Sequence, residues 1–111
     1  METHRSPLSC DLFLLSDRDR LRREELVSAL GHSLRDLYEL ENGYGMVFDP
    51  SSSTLAELVE FIALERLCCP FLNFELRVAE ENGPLRLDLT GRDGVKQFLA
   101  TELGIEDGVV E

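Results

Sequence analysis

Positive charge is scarce in this sequence, and tryptophan is absent. The 111 residues include 11 lysines and arginines against 22 aspartates and glutamates, which gives a formal net charge of −11. Nucleic acid and anionic membranes repel such a surface at long range, so we expect neither of them as a partner. The charge suits a soluble protein, or one whose partners are basic or cationic.

Long apolar runs are also missing. No run approaches the ~20 residues that are needed to span a bilayer. The apolar segment at residues 8–15 is interrupted by Ser9 and Asp11 and precedes no small-residue cleavage pattern, which makes it a poor signal peptide. We therefore predict a cytoplasmic protein whose thiols stay reduced. Because the three cysteines are an odd number, we do not expect a closed disulfide framework.

The chain does contain enough apolar residues for one core. Hydrophobic residues make up 43% of the sequence, and a chain of this length favours one compact domain. We place a single α+β domain at residues 1–104. Residues 105–111 are rich in acidic and small side chains, and we expect them to form a disordered acidic tail.

Capping residues and glycines predict three helices. Ser16 and Thr54 are each followed by an acidic residue three positions later, which is the spacing of a helix capping box. Gly31 and Gly104 are placed to end helices, because glycine readily adopts the left-handed conformation of a C-terminal cap. The predicted helices are residues 17–30, 55–67 and 95–103.

Two Asn-Gly steps predict β-hairpins. Each step lies between segments with apolar residues, and an Asn-Gly pair is typical of a two-residue hairpin turn. The second hairpin has the clearer alternation of apolar and polar residues. Turns centred on Asn42-Gly43 and Asn82-Gly83 predict the cross-strand pairs Leu37–Phe48, Tyr38–Val47, Leu76–Leu89, Val78–Leu87 and Arg77–Asp88.

Together these elements form two successive strand–strand–helix units. Two such units predict a four-stranded antiparallel sheet with helices on one face, which is an α+β fold. The N-terminal helix is an addition to that core.

The side chains that could bind a metal or react lie together at the end of the second predicted helix. On a helical wheel with about 100° per residue, Glu65 and Arg66 interrupt the apolar face one turn before Cys68 and Cys69. Pro70 disfavours helical geometry at the preceding residue, so the helix should end at Cys69. We expect Glu65 and Arg66 to pair with each other or with the first helix rather than to act in acid–base catalysis.

Adjacent cysteines favour capture of a soft metal over redox chemistry with each other. Their Cα atoms lie ~3.8 Å apart, which is below the usual ~4.4–6.8 Å of a disulfide. The helix C-terminus and Glu65 would both raise a thiol pKa, so an activated thiolate requires an arginine from the first helix. A metal brings its own positive charge. The candidate ligands are Cys68, Cys69, Glu65 and a folded-in Cys10, with Arg66 and Pro70 in support, for an ion such as zinc, mercury or arsenite.

Two other interpretations stay open. Free cysteines often pack as small hydrophobic side chains, and the protein would then be a non-catalytic interaction module, including a homodimer, with cysteines in its core. The third interpretation is a thiol-dependent enzyme. It ranks last because a raised thiol pKa disfavours the thiolate that such an enzyme needs. No standard hydrolase or phosphate-loop pattern is present, so the sequence assigns no enzymatic activity.

The block at residues 65–74, E-R-L-C-C-P-F-L-N-F, carries a resemblance. Together with the later Thr90-Gly91, it resembles a family of small uncharacterised bacterial proteins that share an E-R-x-C-C-P-F-L-x-F motif. The likeness extends to Cys10 and to Gly43-Tyr44. It implies a bacterial cytoplasmic protein with Cys10 in the site, and it suggests a link to mercury or arsenic response.

Overall fold

The four strands of the two predicted hairpins form one antiparallel sheet. The structure, a computed structural model, describes residues 7–105. The strands are β1 (Leu34–Leu40), β2 (Gly43–Phe48), β3 (Asn73–Val78) and β4 (Leu85–Thr90), and the helices are α1 (Asp17–Ser33), α2 (Ser52–Cys68) and α3 (Val95–Glu102). The strand order is β1-β2-β4-β3, so the later strand of the second unit lies beside β2. The predicted α+β architecture, including the N-terminal helix, is confirmed.

The sheet has one apolar face, and this face makes the core. Side chains of one face of the two central strands, β2 and β4, pack with buried residues of the three helices. Full burial of one such side chain is worth about 1.5–3 kcal/mol relative to an exposed one, so this face accounts for much of the stability. The buried residues of this cluster are Leu30, Tyr44, Met46, Phe48, Leu58, Leu85, Leu87, Leu89, Val95 and Leu99.

The register predicted for the first hairpin is wrong by two residues. Leu40 pairs with Gly43, so the turn consists of Glu41 and Asn42, and Tyr38 lies opposite Gly45 instead of Val47. Gly43 is needed inside the sheet and not in the turn: a Cβ there would lie 1.9 Å from the carbonyl oxygen of Leu89 on β4. The glycine thus permits a close approach of two strand backbones.

The second hairpin differs from its prediction in the same way. Val78 pairs with Leu85, and Arg77 lies opposite Arg86 instead of Asp88. The intervening loop is longer than two residues, and its left-handed residues are Glu81 and Asn82, with φ of 56° and 54°. Positive φ at two successive residues is the requirement of a type I′ turn, and here the pair begins one residue before Asn82.

The helix ends follow the capping signals with two corrections. α1 continues through Gly31 to Ser33, so Gly31 does not end it. α2 is capped by the side chain of Ser51, which accepts a hydrogen bond from the Thr54 N–H, so Thr54 is the third residue of the helix and not its cap. Gly104, with φ of 70°, does follow the end of α3 as predicted.

Both chain ends extend past the described part of the structure. Ile105 packs against the core cluster, and the rest of the predicted acidic tail, residues 106–111, lies outside the described residues. Among the helices within residues 7–105, none has the length and apolar character to cross a membrane.

Candidate functional site

The candidate site lies where α2 ends. Cys69 is the C-terminal cap of this helix, and its backbone N–H donates to the Glu65 carbonyl at 2.7 Å. The chain leaves the helix there, as the following proline predicts. Because Glu65 and Cys68 are three residues apart on the last turn, their side chains lie on one face of the helix.

The N-terminal segment brings the third cysteine to this helix end. The Asp11 N–H donates to the Cys68 carbonyl at 3.2 Å, which provides a partner for one of the last carbonyls of α2. Leu15, just before α1, is buried and packs in the same cluster as the cysteines. These contacts place Cys10 beside Cys69.

Cys10 and Cys69 form a disulfide, which corrects the expectation that all thiols are reduced. Their Cα atoms are 5.1 Å apart, and the two residues are separated by 59 positions in the sequence. Pairing of such distant cysteines cannot be deduced from the sequence, because it depends on how the N-terminal segment docks. The odd count leaves Cys68 as the free, buried thiol.

Cys68 lies at the centre of the cluster. Its sulfur is 3.7 Å from the Cys10 sulfur, 3.9 Å from the Cys69 sulfur and 3.2 Å from Oε2 of Glu65. One ligand atom from each of the four residues lies within 4.8 Å of all the others. The structure therefore brings together all four candidate ligands that were named from the sequence, in a geometry that could hold a metal ion.

A buried ion pair holds the carboxylate of this cluster. Arg23 of α1 donates to both oxygens of Glu65, through Nε at 2.8 Å and through a terminal nitrogen at 3.3 Å. The Glu65 side chain is only 8% exposed and that of Arg23 20%. Glu65 was predicted to pair with Arg66 or with the first helix, and the structure shows the pairing with the first helix. The paired carboxylate also accepts a hydrogen bond from the Cys68 thiol.

The Cys68 thiol is held in its neutral form. Burial, followed by the negative charge of Glu65, raises the pKa of this thiol from 9.0 to about 11. Arg23 acts in the opposite direction, but it is already engaged by Glu65. An arginine from the first helix thus reaches the site without making Cys68 an activated nucleophile.

This raised pKa predicts a loss of stability in alkaline solution. The unfolded chain releases the Cys68 proton near pH 9, whereas the folded protein retains it up to about pH 11. The contribution of this group is therefore present below pH 9 and is lost between pH 9 and pH 11. Urea unfolding at a series of pH values should show this decline, and Cys68→Ala should have a shallower one. Identical slopes in the two proteins would contradict the assignment.

The two supporting residues named from the sequence lie at the surface. Arg66 is exposed, and its side chain forms no ion pair or hydrogen bond with another described residue. Pro70 is exposed as well, and its effect is on the backbone that ends α2. Arg23, and not Arg66, lies next to Glu65. The sequence indicated that a partner could come from the first helix, but it did not indicate which of the four arginines of that helix.

An apolar cavity lies against the disulfide. It has a volume of about 250 Å³ and is lined by residues of α1, α2, α3 and the sheet, together with Cys10 and Cys69. Arg23 and Glu65 also line it, so the ion pair and the sulfurs share one wall. Sequence patterns gave no sign of this cavity, because its walls come from many separate elements.

Comparison with known proteins adds no further assignment. No family model, curated protein or solved structure matches this chain. The chemistry of the site is therefore argued from its geometry.

Proposed function

We propose that the reduced protein binds a soft metal or metalloid ion through the thiolates of Cys10, Cys68 and Cys69. The observation that carries this proposal is the spacing of the sulfurs. Two thiolates bound to one tetrahedral zinc, at about 2.3 Å each, lie about 3.8 Å apart. The Cys68 sulfur lies 3.7 Å and 3.9 Å from the other two, so little movement is needed at this residue.

The protein environment favours capture of the ion over ionisation of free thiols. A bound cation displaces the thiol protons and supplies positive charge beyond that of Arg23, which Glu65 already engages, so the raised pKa of Cys68 does not prevent binding. Glu65 lies within reach of the same ion and is oriented by Arg23, which is the role of an outer-shell partner. Soft ions such as zinc, mercury and arsenite suit three sulfur ligands.

The disulfide makes this binding dependent on redox state. In the oxidised protein only the Cys68 thiol is free, which cannot supply three sulfur ligands. Reduction by a thiol or phosphine adds two electrons and two protons and yields the free thiols of Cys10 and Cys69. We also propose that the E-R-x-C-C-P-F-L-x-F block is the sequence signature of this site.

Mass spectrometry of the native protein tests the proposal. Phosphine-reduced protein is mixed with one equivalent of Zn(II), Hg(II) or arsenite. We expect a one-to-one adduct with at least one ion; for arsenite, three thiols and As(OH)₃ give the trithiolate and three waters. Cys68→Ser and the oxidised protein should lose the arsenite adduct, whereas Ser9→Ala, beside Cys10, should retain it. Absence of any adduct from reduced wild-type protein would refute metal binding.

A second candidate function is supported by surface residues near the site. Phe13 is 89% exposed and Leu14 61%, which is unusual for adjacent large apolar side chains. An interaction module, including a homodimer, would cover them and would use the cysteines as core. Sedimentation analysis of wild-type protein and Phe13→Ser separates this function from metal binding: a dimer that the substitution dissociates supports it, and a monomer under all conditions opposes it.

A further inference from the structure

The cavity beside the disulfide has the size and polarity of a small binding site. Its volume is about 250 Å³. A cavity of about 150 Å³ with aliphatic and aromatic walls is enough to bind benzene. One aromatic ring therefore fits here, with space for the atom that carries it, whereas a drug-sized ligand usually occupies a larger pocket.

Most of the residues that line the cavity are apolar, and they include side chains of the core face of the sheet and of α3. The charged residues of the lining are Arg23 and Glu65, which are paired with each other, and Glu102, which is exposed. An apolar group can therefore occupy the cavity while Arg23 and Glu65 keep each other as partners and Glu102 stays hydrated. Apolar residues of the wall are Leu30, Met46, Phe48, Leu87, Leu89 and Phe98.

We infer that the cavity opens along α1 from the exposure of the lining residues there. Val27 and Leu34 line the cavity and are 45% and 39% exposed, and Gly31 lies between them in sequence and is exposed as well. A Cβ built at Gly31 meets no atom within 4 Å, so there is open space at this edge. A small molecule can therefore enter beside Gly31 and reach the wall that carries the sulfurs.

The sulfurs divide into two that line the cavity and one that does not. Cys10 and Cys69 are among the residues that line it, whereas Cys68 is not. A ligand that enters through the cavity would meet two thiols after reduction of the disulfide. An ion without an organic substituent has no such restriction and can use all three sulfurs.

We propose that the preferred ligand of the site is an organic trivalent arsenical with one aryl group, with its ring in the apolar cavity. This inference rests on the proposed function. The chemistry is a condensation: an arsine oxide, R–As=O, and the thiols of Cys10 and Cys69 give R–As(S–Cys)₂ and water. The two As–S bonds replace two S–H bonds and the As=O bond, and arsenic stays trivalent. A small thiol or phosphine first reduces the disulfide and is itself oxidised.

The first test compares three arsenicals on the phosphine-reduced protein. Dissociation constants are measured by competition with a dithiol for phenylarsine oxide, methylarsine oxide and arsenite. The phenyl compound should bind about 10- to 100-fold more tightly than the methyl compound after correction for their affinities for the dithiol, which is the factor expected for burying a phenyl-sized group. Equal corrected affinities would refute the role of the cavity and leave the proposed function intact. Failure of all three to bind would refute this inference, and the proposed function would then stand or fall on its adducts with Zn(II) and Hg(II).

Substitutions at the opening and at Cys68 locate the ring and the sulfurs. Gly31→Leu places a side chain at the opening and should abolish the phenyl preference, and Ser28→Leu, exposed on the same helix but outside the cavity lining, should preserve it. Val27→Phe, also at the opening, repeats the test at a second position. Cys68→Ser should retain phenylarsine oxide while losing arsenite. A phenyl preference that survives both opening variants, or a phenyl compound that requires Cys68, would overturn the proposal.

Discussion

Replacing Arg23 with alanine should lower the free energy of unfolding by about 3 kcal/mol. Removing one partner of a buried ion pair typically costs about 3–5 kcal/mol, because the other charge is left buried without compensation. The lower end of that range applies because the Arg23 side chain is 20% exposed, whereas Glu65 is 8% exposed. Urea denaturation of the oxidised protein measures this loss directly.

The neighbouring arginine supplies a matched control. Arg22 forms an ion pair with Glu60 between the same two helices, at 2.7 Å, but both of these side chains are more than 40% exposed. Exposed pairs contribute little, so Arg22→Ala should leave the denaturation midpoint nearly unchanged. Equal losses for the two alanine variants would show that burial of the Arg23–Glu65 pair is not what stabilises the protein.

A double substitution distinguishes a charge effect from a packing effect. If Arg23 is needed because Glu65 is charged and buried, then Arg23→Leu combined with Glu65→Leu should recover most of the stability that Arg23→Leu alone removes. Both single variants should be clearly less stable than the double variant. Additive losses in the double variant would contradict this explanation.

Loss of the Cys10–Cys69 disulfide should lower the free energy of unfolding by about 4 kcal/mol, the chain-entropy value for a loop of this length. The two cysteines are separated by 59 positions, so the crosslink restricts a large part of the unfolded chain. Unfolding of the protein in the presence and absence of a phosphine reductant measures the difference. Cys10→Ala should lower the free energy of unfolding by a similar amount without reductant. Cys68→Ala keeps the disulfide and should not show this loss.

The same experiment links stability to the proposed function. An ion that binds only the folded, reduced protein adds about 2.7 kcal/mol at a free concentration 100 times its dissociation constant. Arsenite or zinc should therefore restore much of the stability that reduction removes, and Cys68→Ser should prevent the recovery by arsenite. A reduced protein whose midpoint is unmoved by every ion would argue against three-sulfur binding.

Local sequence patterns predicted the secondary structure well but misplaced the strand register. Capping residues and glycines indicated the three α-helices of residues 7–105, and the two Asn-Gly steps indicated the four strands. Both Asn-Gly steps were taken as turn centres, and in both hairpins the turn begins one residue earlier. At Gly43 the glycine serves a close approach to Leu89 on a strand more than 40 residues away, and a local signal cannot report such a contact.

The candidate site shows a similar division. The helical spacing of Glu65 and Cys68 follows from 3.6 residues per turn, so their proximity was predictable from the chain alone. Cys10 was expected to join the site because it could supply a third sulfur ligand and because of the family resemblance. Its disulfide with Cys69 was not expected. The choice of Arg23 among four arginines depends on how α1 crosses α2.

The sequence by itself determined the order of the elements, the end of α2 at Cys69 and the placement of sulfur and carboxylate on its last turn, because these depend on backbone preferences within a few residues. The tertiary structure alone decided that Cys10 bonds to Cys69, that Arg23 neutralises Glu65 and that an apolar cavity opens beside the sulfurs. Each of these depends on the packing of elements that are distant in the chain, and the free energy of that packing is shared among many side chains.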